Sequence, residues 1–118
     1  MRIGQAIRAT AVASLVSAGF FVLSSLEEAR ALEVEAGRAL LDANCASCHA
    51  IGDTGASPVA NAPAFRTLSE RYPVESLEEA LAEGIFVGHE GSPQMPELSF
   101  ESDEIGAIVA YLRSIQPK

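Results

Sequence analysis

The chain has 118 residues, of which 48% are hydrophobic, 20% are charged and 6% are aromatic, with no tryptophan. This composition is typical of one small globular domain and not of a disordered chain. Eight basic residues against sixteen acidic ones give a formal charge of -8, which excludes the basic surface that nucleic acid binding requires. Two cysteines and two methionines leave few sulfur ligands for metal or redox chemistry.

The N-terminal residues have the pattern of an export signal. Arg2 and Arg8 supply positive charge with no acidic residue, and residues 9–23 are apolar or small. A small-x-small sequence of the kind that a signal peptidase cuts ends at Ala31, so we predict that residues 1–31 are removed. Because the two arginines are not adjacent, Sec-type export to the periplasm is favoured over the twin-arginine route.

The alternative to cleavage is a retained membrane anchor over residues 9–26. This stretch is just long enough to span a bilayer, but it contains several serines and a threonine. We therefore expect a mature domain of residues 32–118 with no membrane span. It has five basic and fourteen acidic residues, a formal charge of -9. A domain this small is marginally stable unless a disulfide, a metal or a cofactor adds to its core.

The mature domain is predicted to be all-α, because its apolar residues recur at helical spacing and it has almost no strand pattern. Four segments are predicted to be helical: residues 33–45, 65–72, 76–83 and 102–115. Ser76 and Ser102 are predicted to cap the last two helices. Gly37 is unfavourable inside the first helix, so we expect another helix to pack closely against it.

Two loops are predicted between these helices. Residues 51–64 and 88–96 are rich in residues such as glycine, proline and serine, which favour turns over regular structure. Gly84 is predicted to end the third helix. The last helix carries an apolar stripe at helical spacing, made of Ile105, Ile108, Val109, Leu112 and Ile115.

Cys45-Ala46-Ser47-Cys48-His49 is the most informative motif in the chain. Residues three apart lie on one face of a helical turn, so both thiols can bond the two vinyl groups of one haem as thioethers. His49 follows the second thiol and can then ligate the iron. We therefore predict one covalently attached haem c, formed after export.

Three other functions of the two cysteines are alternatives to haem attachment. A disulfide would close a very small loop and add little stability. A thioredoxin-like pair needs a βαβ context that the predicted helices do not provide. A zinc site needs four ligands, and the mature chain offers only Cys45, Cys48, His49 and the distant His89. Haem attachment is the interpretation that the spacing favours.

The second axial ligand decides whether the iron carries electrons or binds small molecules. Met95 lies in a proline-flanked loop before the last helix, where an apolar core residue has no periodic reason to be. A thioether is a suitable soft ligand for iron and raises its reduction potential. His89 is the rival ligand, and an open sixth position is the third alternative. We predict that His49 and Met95 hold the iron.

Together these motifs resemble the small single-haem class I cytochromes c of bacteria. The similarity covers the whole mature segment, from the helix with Gly37 through the haem motif and the methionine loop to the closing helix with Tyr111. The resemblance implies an all-α cytochrome c fold of three to five helices around one haem, with Gly37 close to the helix that carries Tyr111. It also implies a proline whose carbonyl accepts the Nδ1 hydrogen of the proximal histidine. Pro63 matches that position best, and Pro58 is the alternative.

The expected function is one-electron transfer without substrate chemistry, so the protein is not expected to be an enzyme. Low-polarity side chains are expected to surround the haem and keep water away: Leu40, Phe65, Leu68, Ile85, Phe86, Leu98 and Leu112. The acidic surface favours redox partners with positive patches, which a monomer would bind transiently. The alternatives are an electron-transfer subunit of a larger dehydrogenase or sulfur-oxidising complex, and a haem sensor or enzyme with an open sixth site.

Overall fold

The computed structural model describes the backbone of residues 6–84 and 95–118 and the side chains of residues 22–84 and 95–118. These ranges contain no strand, and they contain three α-helices and two short 3₁₀ helices: α1, Ala6–Asn44; η1, Phe65–Glu70; η2, Val74–Ser76; α2, Leu77–Glu83; and α3, Ser102–Ser114. The described part of the protein is therefore all-α, which confirms the predicted fold class.

The predicted helices at residues 65–72, 76–83 and 102–115 correspond to η1, α2 and α3. The first of them is a 3₁₀ helix and ends two residues earlier than predicted. Residues 51–64 contain neither helix nor strand, which confirms the predicted loop. Most of the second predicted loop, with His89, lies outside the described residues.

The chain divides into two compact units, Met1–Leu32 and Glu33–Lys118. The first unit is helical from Ala6, and four of its large apolar side chains are exposed: Val22, Leu23, Leu26 and Leu32. None of the helices in the described part of the chain is long and apolar enough to span a membrane. The first unit ends one residue after Ala31, and cleavage at that point stays a prediction.

The first helix is longer than the sequence predicts, because α1 begins at Ala6 and not at Glu33. The predicted start depended on acidic residues, which stabilise the N-terminal end of a helix. Residues 24–32, however, contain neither proline nor glycine and are rich in leucine, alanine and glutamate, all strong helix formers. No local signal ends the helix within this stretch, so α1 is continuous across it.

The core of the second unit combines side chains from all five helices. Its buried apolar residues are Leu41, Leu68, Val74, Leu81, Ile105, Ile108, Val109, Tyr111 and Leu112. More than half of them come from α3, because one face of this helix is apolar along its whole length. The predicted stripe of α3 is confirmed, and Ile115 packs against the core as its partly buried end.

The backbones of α1 and α3 meet at Gly37. A Cβ placed on this glycine would overlap the carbonyl oxygen of Ala107 and would lie 2.5 Å from its carbon and 3.0 Å from the Ile108 nitrogen. Backbone atoms cannot rotate away as a side chain can, so only glycine fits at this point. The close helix packing predicted at Gly37 is therefore confirmed, and the partner is the helix that carries Tyr111.

One predicted helix cap is wrong, one is correct in position but makes no capping bond, and one predicted helix end is confirmed. Ser76 belongs to η2, has helical dihedral angles (φ -63°, ψ -15°) and makes no capping hydrogen bond, because η2 leads directly into α2. Ser102 is already helical, and the N-cap of α3 is Glu101, whose backbone nitrogen donates to Glu104 Oε2 at 2.9 Å. Gly84 ends α2 as predicted, with a φ of 85° that glycine adopts without strain.

Candidate functional site

A cavity of about 580 Å³ lies in the second unit. Its volume falls within the range of about 300–1,000 Å³ that is usual for ligand and cofactor sites. All five residues that the sequence analysis assigned to a cofactor site lie in its lining: Cys45, Cys48, His49, Pro63 and Met95. The tertiary structure therefore brings together residues that are up to 50 positions apart.

Most of the apolar side chains predicted to surround the cofactor belong to the described residues. Four of these residues line the cavity: Phe65, Leu68, Leu98 and Leu112. Leu40 instead packs against the hydrophobic core, because it lies on a different face of α1 from the cavity-lining Leu41. Ile85 and Phe86 lie outside the described residues.

The acidic side chains that the structure describes lie outside the cavity lining. Among the described residues, no aspartate or glutamate lines it, although fourteen acidic residues follow Ala31 in the sequence. Arg71 is the basic residue in the lining. The apolar lining favours a largely apolar cofactor over a highly charged substrate.

A tight turn after α1 positions the two thiols. The Cys45 nitrogen donates to the Leu41 carbonyl oxygen at 2.8 Å, so the helical bonding pattern extends one residue beyond Asn44. The Cys45 carbonyl oxygen then accepts from the nitrogens of Cys48, at 3.1 Å, and His49, at 2.9 Å. Both thiols and the imidazole belong to the cavity lining as a result.

Both cysteines are free thiols and are partly buried. Burial raises the pKa of Cys45 to about 11, and the neighbouring Cys48 adds to this rise. A thiol with this pKa stays protonated at neutral pH, whereas a thioredoxin-like pair uses a thiolate with a lowered pKa. The environment of Cys45 therefore does not suit a redox-active pair. The described residues contain no cluster of three or more His, Cys, Asp or Glu side chains arranged to hold a metal ion.

Two neighbouring groups hold the ring of His49, which is only 8% exposed. Its Nδ1 lies 2.8 Å from the carbonyl oxygen of Pro63. Because a carbonyl oxygen can only accept, the hydrogen is on Nδ1, and Nε2 keeps a lone pair for a metal. The ring also stacks on Phe65, with centroids 4.7 Å apart and an angle of 29° between the planes. Together these contacts fix both the tautomer and the orientation of the imidazole.

Hydrogen bonds stabilise the loop that joins the Cys45–His49 motif to η1. The Ala50 nitrogen donates to Ser57 Oγ at 3.0 Å, and the Val59 nitrogen donates to the Cys48 carbonyl oxygen at 3.2 Å. The Phe65 nitrogen donates to the Ala50 carbonyl oxygen at 2.9 Å. These bonds close the loop on itself and place the following segment beside the imidazole.

The structure distinguishes the two prolines that the resemblance left open. Pro63 supplies the carbonyl that accepts from His49, whereas Pro58 lies exposed on the loop. Met95 is partly buried and lines the same cavity. The rival ligand His89 lies outside the described residues.

Two supporting side chains, Tyr111 and Gln116, are not predicted by the sequence pattern. The Tyr111 hydroxyl donates to the Ile51 carbonyl oxygen at 3.0 Å, and burial raises the pKa of this tyrosine. A tyrosine within an apolar stripe was the available signal, because a buried hydroxyl needs a partner. The partner itself lies 60 positions away and leaves no local pattern. Gln116 bonds to η1 in the same long-range manner.

Comparisons with known proteins agree with this geometry. Residues 34–116, which include all five site residues, match the protein-family model described as cytochrome c. Over 96 residues the chain is 33% identical to cytochrome c-552 of Bradyrhizobium diazoefficiens, and the aligned region covers 81% of this chain and 88% of that relative. No solved structure gave a significant match.

Proposed function

This chain belongs to the cytochrome c family as a small class I member, and from that premise we propose that it is an exported carrier of single electrons. Membership of the family implies one covalently bound haem c. The matched region includes the turn with both thiols, the His49 loop and the segment with Met95.

The residues that line the cavity fit this group. Cys45 and Cys48 lie on one turn, at the spacing that two thioether bonds to one haem require. His49 lines the same cavity with a free Nε2 lone pair. When bound, haem supplies an iron that exchanges one electron between its ferric and ferrous states. The apolar side chains of the lining exclude water and keep the surroundings of low polarity.

The observation that carries the proposal is the hydrogen bond between His49 Nδ1 and the Pro63 carbonyl oxygen. At 2.8 Å it leaves Nε2 as the only ring nitrogen able to bind a metal. A partner of this kind keeps a ligating imidazole in one orientation and raises its basicity. An imidazole that does not reorient suits a site at which only an electron is exchanged.

We propose Met95 as the second axial ligand. It lines the same cavity as His49, in a segment that precedes α3 and is followed by Pro96. A methionine thioether raises the reduction potential of haem iron. With His49 and Met95 both bound to it, the iron would have no coordination position free for a substrate or a gas. This is the reason to favour a carrier over a sensor or an enzyme.

The optical spectrum of the haem-loaded protein tests the axial ligands. The oxidised wild type should show the weak far-red band of methionine-ligated iron, and Met95→Ala should lose this band and bind carbon monoxide when reduced. Leu98→Ala is the matched control, because Leu98 lines the same cavity without a ligand atom and should keep the band. A wild type that lacks the band, or that binds carbon monoxide readily at neutral pH, would contradict the assignment and favour a haem sensor.

We also propose that residues 1–31 direct export to the periplasm and are removed. The support is the charge and apolar pattern of these residues and the end of the first compact unit at Leu32. Mass spectrometry of the periplasmic fraction of expressing bacteria should find residues 32–118 plus one haem. A bulky Ala31→Tyr substitution should leave the precursor uncleaved. Wild-type haem protein that keeps its N-terminus in the membrane fraction would support the anchor instead.

The partners are proposed to be redox proteins with positive patches, which the protein binds as a monomer. The support is the formal charge of -9 after residue 31. Association that is steered by charge slows as salt screens it, so electron transfer to a basic partner should slow with ionic strength. Purification of the native protein in a stable assembly with a larger dehydrogenase would favour the subunit alternative.

A further inference from the structure

Gln116, two residues beyond the end of α3, makes three hydrogen bonds with one side chain. Its Nε2 donates to the carbonyl oxygens of Phe65, at 2.9 Å, and Leu112, at 2.7 Å. Its Oε1 accepts from the Ser69 nitrogen at 2.9 Å. Both amide hydrogens and the amide oxygen are therefore engaged, and the side chain is partly buried. A glutamine that served only solubility would leave these groups to water.

These bonds hold η1 at two points. Phe65 is its first residue, and Ser69 is the residue before its last. The ring of Phe65 stacks on His49, and the carbonyl that accepts from His49 belongs to Pro63, two positions earlier. The position of η1 relative to α3 therefore contributes to where both groups that orient the imidazole lie.

The helix that carries Gln116 at its end is a fixed reference for this segment. Its backbone meets that of α1 at Gly37, where no further atom can be accommodated. α1 leads directly into the turn that bears His49. The contacts therefore form a closed set. The histidine follows α1, α3 packs on α1, and Gln116 joins the end of α3 to the segment that holds the imidazole ring. Two other contacts hold η1: Leu68 packs in the core, and the Phe65 nitrogen donates to the Ala50 carbonyl oxygen at 2.9 Å. Gln116 adds the directional bonds between η1 and the segment that follows α3.

We propose that Gln116 is a positioning residue that lowers the reduction potential by keeping the Pro63 carbonyl oxygen within hydrogen-bond distance of His49 Nδ1. This inference rests on the proposed function, in which His49 ligates the haem iron. A strong hydrogen bond from Nδ1 makes the imidazole a more basic ligand, and a more basic ligand stabilises the ferric state. Release of η1 weakens this bond, so the potential rises.

Gln116→Leu tests the inference, because leucine is similar in size to glutamine but is apolar and can make none of the three hydrogen bonds. In the haem-loaded protein at a fixed ambient potential, we expect the ratio of ferrous to ferric protein to rise about two- to fivefold, which corresponds to part of one net hydrogen bond. The His49 Nδ1 hydrogen, followed by NMR in the ferrous protein, should exchange faster with solvent. Ser114→Ala is the matched control, since it removes a hydrogen bond of 2.6 Å to the Tyr111 carbonyl oxygen within α3 itself.

The control should leave both the potential and the exchange rate at wild-type values. If Gln116→Leu also keeps the wild-type potential and exchange rate, Gln116 contributes to stability alone and the inference is wrong. Should the leucine variant fail to fold, Gln116→Ala is measured against the same criteria. A wild-type spectrum without histidine-ligated haem would contradict the proposed function itself, whereas a normal wild-type spectrum with an unshifted variant contradicts only the role of Gln116.

Discussion

The crossing of α1 and α3 and the loop around His49 depend on opposite kinds of interaction. At the crossing, Gly37 lets two backbones meet, and the fit depends on the absence of a side chain. Around His49, residues 50–64 have no regular structure and depend on individual hydrogen bonds to Ser57, Tyr111 and other partners. Close packing fails abruptly when an atom is added, whereas a hydrogen-bonded loop weakens one bond at a time.

Gly37→Ala has the largest expected effect, because it breaks the crossing. The added Cβ overlaps the Ala107 carbonyl, so the helices must separate. We expect the free energy of unfolding to fall by about 3 kcal/mol or more in denaturant titrations, or the folded protein to be lost. Gly106→Ala is the matched control, since the nearest atom to its Cβ is Glu33 Oε1 at 3.8 Å. Better helix propensity should make that variant neutral or more stable by about 0.5–1 kcal/mol, and equal losses in both variants would contradict the packing argument.

Tyr111→Phe removes one bond from the loop and should have an intermediate effect. The ring remains to fill the core, and only the hydrogen bond to the Ile51 carbonyl oxygen is lost. We expect a loss of about 1 kcal/mol in the free energy of unfolding, measured by denaturant titration at neutral pH. Tyr72→Phe serves as the control, because Tyr72 is 38% exposed and loses no hydrogen bond of the kind that Tyr111 makes to Ile51. A loss as large as that of Gly37→Ala would show that the loop does not weaken one bond at a time.

Tyr111 should also make the free energy of unfolding depend on pH in the alkaline range. Burial raises the pKa of Tyr111 above its ordinary value of 10.0, so the neutral hydroxyl is the form that the folded protein stabilises. The stabilisation that the neutral hydroxyl gives to the folded protein is complete below pH 10. It is lost as the pH rises through the higher pKa of the folded state. The free energy of unfolding of the wild type should therefore fall more steeply above pH 10 than that of Tyr111→Phe. Parallel curves in denaturant titrations over this range would contradict the assignment.

The smallest effect is expected at an exposed ion pair that belongs to neither region. Arg113 Nε donates to Glu75 Oε1 at 2.9 Å, with both side chains more than half exposed. The pKa of the Glu75 carboxyl group is lowered, mainly by a hydrogen bond with the backbone of Glu75 and next by the hydrogen bond from Arg113. The stability contributed by the ionised carboxylate is present above the ordinary carboxyl pKa. It is lost as the pH falls through the lowered pKa of the folded state. In Arg113→Ala, an NMR titration should find the pKa of Glu75 raised but still below its ordinary value, with a stability change smaller than that of Tyr111→Phe.

Local patterns predicted the helices better than their ends. The apolar stripe of α3 follows from the 3.6-residue period, and the end of α2 at Gly84 follows from the ease with which glycine adopts a positive φ. Ser76 makes no capping bond and Ser102 is not the cap, because capping depends on the conformation of the preceding residues. Ser76 is the last residue of a 3₁₀ helix that continues into α2, and Ser102 follows a residue that is itself the cap.

The spacing and size of neighbouring residues are enough to predict that two thiols and an imidazole share one turn and that a glycine marks a close helix contact. The contacts of these groups depend on how the helices pack: Gly37 meets Ala107, His49 meets Pro63, and Gln116 meets η1. These partners lie 14 to 70 positions away in the chain. Their hydrogen bonds and backbone contacts form only when the helices have packed, and local residue patterns carry no record of that packing.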